Sequence, residues 1–216
     1  MHTVDRGDEP KGLAPIRRRY TPRWVAYYRD GVGNKPTDAK WQDFHDDLSR
    51  AFCGLCGYCE DNCKGQVDHF RPKHKFPGQV YKWDNWVLAC GPCNTKKGRN
   101  WPRGGYVDPC SNSPSERPEG YFDLDTTTGE IIAKRGLTAD RRRRADRTIE
   151  DIGLNRYHHL KARKGELEVI AKHLKEWPAD DPKRQEFIQF VASRNRRLSS
   201  FICAWLQEQG LTWDPA

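Results

Sequence analysis

No window of the 216-residue chain approaches eighteen consecutive apolar residues, which argues against a membrane-spanning helix. Its opening, MHTVDRGDEPKGLAPIRRRY, has no apolar stretch behind its charges and is not expected to be a secretory leader. There is no internal repeat and no long low-complexity tract. A GxxxxGK[ST] loop is also missing, so this chain has no P-loop with which to gate itself by a nucleotide. Apolar residues are scarce at 36% against 31% charged, which implies a modest core and a heavily solvated surface. These absences point to a cytoplasmic protein. In that reducing setting eight cysteines read as metal ligands rather than disulfides. Aromatics are not scarce: eight Trp, eight Tyr and eight Phe argue against wholesale disorder.

The formal charge of +8 is unevenly spread. Residues 51–104 carry nine basic and four acidic side chains, while 1–50 and 105–216 are close to balanced. That basic excess coincides with six of the eight cysteines, and it suits either a phosphate-backbone binder or a merely soluble basic face.

The first twenty residues are rich in Pro, Gly and charge and are expected to be an extended or mobile arm, with Arg17, Arg18 and Arg19 solvated. A helix is predicted over 39–52, with Trp41, Phe44, Leu48 and Phe52 on one face. Residues 53–105 break into short apolar pieces between Gly, Pro and Cys pairs, as a small metal-organised module does. Tyr106-Val107-Asp108-Pro109 reads as a short strand, and a hairpin is predicted around Thr128-Gly129. Helices are expected from Leu137 to about Asp151, from Tyr157 to Trp177, and from Pro182 to Gln209. The last carries an apolar stripe of Phe187, Phe190, Val191, Leu198, Phe201, Ile202 and Trp205, ordinary core by its spacing. The chain thus divides into an arm and helix (1–50), a metal module (51–105), and a hairpin with helices (106–216).

Cys56-Gly-Tyr-Cys59 and Cys90-Gly-Pro-Cys93 are two CxxC knuckles thirty residues apart. Each turn delivers two sulfurs, and two turns complete a closed tetrahedral zinc site of structural type. Cys53 also stands in a CxxC with Cys56, and Cys63 lies near Cys59, so the register has alternatives. Cys110 and Cys203 are isolated and read as free thiols.

Between the knuckles lies Val67-Asp68-His69-Phe70-Arg71-Pro72-Lys73, then Trp83-Asp84-Asn85-Trp86; Asn94-Thr95-Lys96-Lys97-Gly98 follows the second knuckle. A four-Cys zinc site needs neither Asp68 nor His69. An adjacent carboxylate and imidazole can divide the work of a metal-dependent nuclease: one holds a hard cation, the other takes a proton from water. Asn94 offers that cation a second oxygen. Lys73, Lys96, Lys97 and Arg99 flank the centre and are candidate phosphate binders. The other histidines have no matching partners, and Arg141 to Arg144 suit either contact of two of them with nucleic acid or an acidic partner, or salt bridges to Asp140, Asp146 and Glu150.

The order CxxC, DHxxPK, a central Asn and CxxCNxxKG resembles the HNH endonuclease superfamily. The resemblance implies an α+β protein with a ββα-metal core and structural zinc. It also implies His69 as general base, Asp68 and Asn94 as ligands of Mg2+ or another divalent ion, and Asn85 as the residue orienting the loop and imidazole. The final motif position is Asn where many members have His. A narrower resemblance, over roughly 50–165, is to the HNH subunit of Septu-type and retron-associated anti-phage systems. It rests on Gly57-Tyr58-Cys59-Glu60, the Asp68–Lys73 run, Tyr106-Val107-Asp108-Pro109, the Gly129-Glu130-Ile131 hairpin and the Arg-rich helix ending Gly153-Leu154-Asn155. It implies DNA as substrate, RNA as the other choice, and a companion ATPase. Outside these classes, a zinc module that binds nucleic acid without cutting it, or a protein adaptor, would use the same knuckles.

Overall fold

A computed structural model describes residues 1–214. Helices dominate it, and two small antiparallel sheets carry its strands. The first sheet pairs β1 (Gln66–His69) with β2 (Trp86–Ala89), in a register that sets His69 opposite Trp86 and Asp68 opposite Val87. Helix α3 (Gly91–Lys97) follows β2 directly, with Pro92 in its first turn where no backbone donor is needed. All four β2 residues are buried, so this strand is the floor of the module.

The opening segment departs from expectation. Residues 13–28 form a helix, α1 (Leu13–Tyr28), in place of an extended arm. Leu13, Ile16, Tyr20, Trp24 and Tyr28 recur at helical spacing and pack on the core, with Leu13 and Trp24 buried. Two prolines and an arginine run mask that stripe in the sequence. The residues before α1 are also tied down: Arg6 Nε donates to the Trp86 carbonyl at 2.8 Å, and Val4 N to the Pro109 carbonyl at 2.8 Å.

The helix predicted over 39–52 exists in two pieces, a 3-10 turn (Lys40–Phe44) running into α2 (His45–Ala51). Phe44, Leu48 and Phe52 are buried as their spacing implies, while Trp41 faces a cleft. The expected strand at 106–109 is not one. Tyr106 and Val107 are buried, but the Val107 N–H goes to Thr148 Oγ1 rather than to a ladder.

The hairpin is β3 (Phe122–Asp125) and β4 (Glu130–Ala133). Helix α4 (Ala139–Ile152) starts at a Thr138 cap and stops at Gly153, whose φ of 72° is the left-handed C-terminal turn. Its arginines work inside the fold: Arg141 and Arg144 both pair with Glu116, and Arg144 Nε also holds the Tyr106 carbonyl.

Helix α5 covers Tyr157–Leu174. The long last helix is in fact two, α6 (Pro182–Val191) and α7 (Ser199–Glu208). The break falls in the polar run Ser193–Arg197 and ends at Leu198, whose φ is 56°. Breaking there lets Ile202 and Leu206 fold back onto Leu167 and Ile170 as a second core cluster. Phe190, expected in the stripe, is 56% exposed and stacks on Arg196 at 3.9 Å. The larger cluster runs from Met1 to Leu154 and takes in Phe201 of α7, while α5 and α6 pack into the second. Among the described residues no helix is long and apolar enough to cross a membrane.

Candidate metal centre and catalytic cleft

The knuckles come first, because they fix everything else. Cys56 and Cys59 lie in the loop ahead of β1; Cys90 caps α3 and Cys93 sits in its first turn. Their sulfurs lie within 4.8 Å of one another, with Cys59 Sγ 3.8 Å from Cys90 Sγ. A tetrahedron of sulfurs at about 2.3 Å from one ion has edges of roughly 3.8 Å, so this donor set fits a closed four-sulfur site. Hydrogen bonds among the four thiols hold Cys90 far below the usual thiol range and push Cys59 and Cys93 far above it, so the sulfurs share their protons as one set. Neither Cys53, which is exposed, nor Cys63 belongs to the cluster, so the alternative registers are not realised. Burial pushes Cys63 and Cys110 up to about 12 and Cys203 up to about 11, the mark of inert thiols.

The β1–β2 pairing places Asp68 and His69 at the end of β1, each only 5% exposed. His69 Nε2 lies 2.9 Å from the Val80 carbonyl, which can only accept. The proton therefore sits on Nε2, and Nδ1 keeps the lone pair. Burial, then Lys73, then Lys97 hold this imidazole well below its ordinary 6.5, so it is neutral at pH 7. A neutral imidazole with a free Nδ1 is a competent base. Trp41 touches the ring edge-on at 4.8 Å.

Asp68 is less free. Its Oδ2 accepts from the Tyr58 hydroxyl at 2.5 Å, and Lys97 Nζ lies 3.0 Å from Oδ1 and 2.9 Å from Oδ2. Lys97 also donates to the His69 carbonyl at 2.9 Å. Lys97 is wholly buried, so its expected place on the phosphate-binding surface is corrected: on α3 it points inward, one turn after Asn94. An ionised carboxylate has about four lone-pair positions, and three are taken, leaving one on Oδ1. Asn94 Nδ2 donates to Gln66 Oε1 at 2.8 Å, which leaves the Asn94 side-chain oxygen without a partner among the described residues. One oxygen from each residue therefore suits a hard cation that keeps most of its waters.

Asn85 is 2% exposed and does not line the cleft. Its Oδ1 accepts the Arg71 N–H at 2.8 Å, and its Nδ2 donates to the carbonyls of Arg71 and Gln79 at 3.2 and 3.1 Å. It ties the end of the loop between β1 and β2 back to Arg71 at its start and Gln79 in its middle.

Asp68, His69 and Asn94 line a cleft of roughly 430 Å³ whose far wall is Trp24 and Tyr28 of α1 with the 35–41 segment. Lys73 reaches into it, its Nζ 4.3 Å from the Trp41 ring centre and 5.6 Å from that of Trp24. Arg99 stands exposed at the rim, whereas Lys96 is exposed beside Gly153 and does not line the cleft. Sequence reasoning missed Tyr58, Trp24 and Trp41. The aromatic inside the first knuckle was a usable signal for Tyr58. Nothing local announces Trp24 or Trp41.

A family model described as "HNH endonuclease" matches residues 56–100, the span from the first knuckle through α3. The chain is also 30% identical over 74 residues to the Septu protein PtuB of Bacillus thuringiensis. That match covers 32% of this chain and 28% of the relative, so it speaks for a segment of each. Residues 56–100, which hold both knuckles, Asp68, His69 and Asn94, thus match the HNH endonuclease family model, and a segment of the chain is similar to a segment of PtuB.

Proposed function

We propose that this chain is a metal-dependent nuclease that hydrolyses phosphodiester bonds, working as the cutting subunit of an anti-phage complex. One observation carries it: His69 has its proton fixed on Nε2 and a free Nδ1 in a cleft shared with the oxygens of Asp68 and Asn94. In this reading His69 takes a proton from water, and Asp68 and Asn94 hold Mg2+ or a similar divalent ion against the phosphate. The β1–β2–α3 order supports a ββα-metal core, and the sulfur cluster holds structural zinc. Lys73 and Arg99 are the phosphate contacts, with Lys96 beyond the rim. DNA is the preferred substrate and RNA the other. A companion ATPase is proposed, because the chain has a cutting centre and no P-loop of its own.

A second reading has one observation in its favour. Lys97 already neutralises Asp68, as it would in a zinc module that binds nucleic acid without cutting it. Purified protein incubated with plasmid, linear DNA and tRNA, with and without Mg2+ or Mn2+, separates the two. Metal-dependent cleavage that vanishes in His69→Ala is expected. Binding without cleavage in every arm, with the proposed ATPase present, would sink the nuclease reading.

A further inference from the structure

Arg163, midway along α5, is 1% exposed. Arginine is rarely so buried without an ion pair. Its Nη1 donates to the Gly129 carbonyl at 2.9 Å and reaches Asn155 Oδ1 at 3.4 Å. Its Nε and Nη2 are buried and find no acceptor among the described residues. The guanidinium lies 4.6 Å from the centre of the Phe201 ring on α7. Nearby carboxylates are already engaged: Asp61 and Glu166 face Arg197, and Glu60 takes the His2 and Ser200 donors. A buried cation left in this state is strongly disfavoured.

The missing anion is close at hand. Helix α5 brings His159 Nε2 to 3.7 Å from Cys93 Sγ, and Arg163 follows one turn later on the same face, where the charges of Cys59, Glu60, Cys93 and Asp61 favour the guanidinium. A dication held by four thiolates carries two net negative charges. A second guanidinium from the same polypeptide turn-and-helix meets the cluster: Arg156 Nη2 lies 3.6 Å from Cys93 Sγ, and its Nη1 donates to the Pro92 carbonyl at 2.9 Å. Two arginines thus stand against two charges.

We propose that Arg156 and Arg163 are the counter-charges of the metal-loaded cysteine cluster, so that loading the cluster locks α5 onto the module. Through Gly129, Asn155 and Phe201 the same lock carries the β3–β4 hairpin and α7. This rests on the cluster being a metal site, and the test separates the two claims.

Full-length wild type, Arg163→Met and Arg163→Lys are titrated with zinc against a chromophoric chelator under reducing conditions. The Met variant is expected to bind zinc about 10–100-fold more weakly, the usual cost of losing a partner outside the ligand set, while the Lys variant retains most of the affinity. Loaded Arg163→Met should melt below loaded wild type, and after chelation the difference should vanish or reverse, because the unpaired charge is gone. Should the Met variant fail to fold, hydrogen exchange on wild type carries the test: α5 and α7 amides are expected to lose protection when zinc is stripped. Unchanged zinc affinity, an equal loss of stability with and without zinc, or α5 protection indifferent to zinc would overturn the counter-charge role. A wild-type chain that binds no zinc overturns the cluster reading along with it.

Discussion

The two candidate ion sites are neighbours on one small scaffold, yet they are built on opposite plans. The sulfur cluster is closed: four soft donors from two turns fill a tetrahedron, and positive side chains crowd its outside. The cleft is open: Asp68 and Asn94 offer one spare oxygen apiece, and the rest of any coordination shell must come from water or phosphate. Closure suits holding a fold together, and openness suits chemistry. Helix α3 serves both, giving Cys93 to one and Asn94 and Lys97 to the other. The architecture therefore predicts that damage to the closed site spreads to the open one, and that damage to the open site stays local.

Cys56→Ser or Cys93→Ser should give the largest effect. Structural zinc in small modules contributes roughly 10–16 kcal/mol of apparent binding energy, so these variants should lose the metal, cooperative melting and activity together. One zinc per chain with a cooperative transition in either variant would break the comparison.

His69→Ala should lower cleavage by about a hundred- to ten-thousand-fold and leave zinc content and melting close to wild type. Loss of zinc in this variant, or an unchanged rate, would count against a local role for the imidazole.

Lys97→Met sharpens the boundary between the sites, since it strands Asp68 beside Tyr58 without its cation. Breaking a buried pair in this way costs about 3–5 kcal/mol, measured by denaturant melting. Added Mg2+ should restore part of that loss, because a divalent ion at Asp68 substitutes for the ammonium. No recovery with metal would mean that Asp68 does not face the cation.

The smallest expected effect is in pH. His69 is held neutral in the fold, while its unfolded counterpart takes up a proton near 6.5. Its contribution to stability is thus complete above pH 6.5 and is lost as pH falls below it, by up to about 1.4 kcal/mol per unit, until the folded group itself protonates. Burial depresses His159 to about 4 and lowers His2 and His74 as well, so four imidazoles contribute to the acid limb of stability. The acid limb of cleavage belongs to His69 alone and should lie well below 6.5. Paired pH series of melting and rate, in wild type and His159→Gln, would separate these contributions.

Much of the candidate site was legible because its chemistry is local in sequence. Both knuckles, Asp68-His69 and Asn94 lie within short runs whose spacing limits what they can do. Lys97 was misread for a physical reason: a lysine in a basic run looks solvated, and only the pitch of α3 turns it inward toward Asp68. The cleft wall was illegible because Trp24 and Trp41 join the cleft of His69 across long stretches of chain, and no local pattern encodes that meeting. Helix α1 was hidden by Pro15 and Pro22, which suggested irregular chain although an apolar stripe was present. The α6–α7 break was hidden by the opposite error, since apolar spacing ran on through residues where Leu198 takes a left-handed turn.

The Glu60 carboxylate, which accepts from the Ser200 N–H at 3.1 Å and from its hydroxyl at 2.7 Å, joins residues 140 apart in the sequence. Such a contact has a timetable during synthesis. Both knuckles and the Asp68-His69 strand leave the ribosome before α7 exists, and at about 5–20 residues per second the intervening hundred or so residues take roughly 5–20 s. For that interval the nascent module, with α1 already made, has its cleft wall and its sulfur ligands but not the clamp from α7. The order in which this chain is made therefore exposes the knuckles to metal first and closes the C-terminal helices over them last.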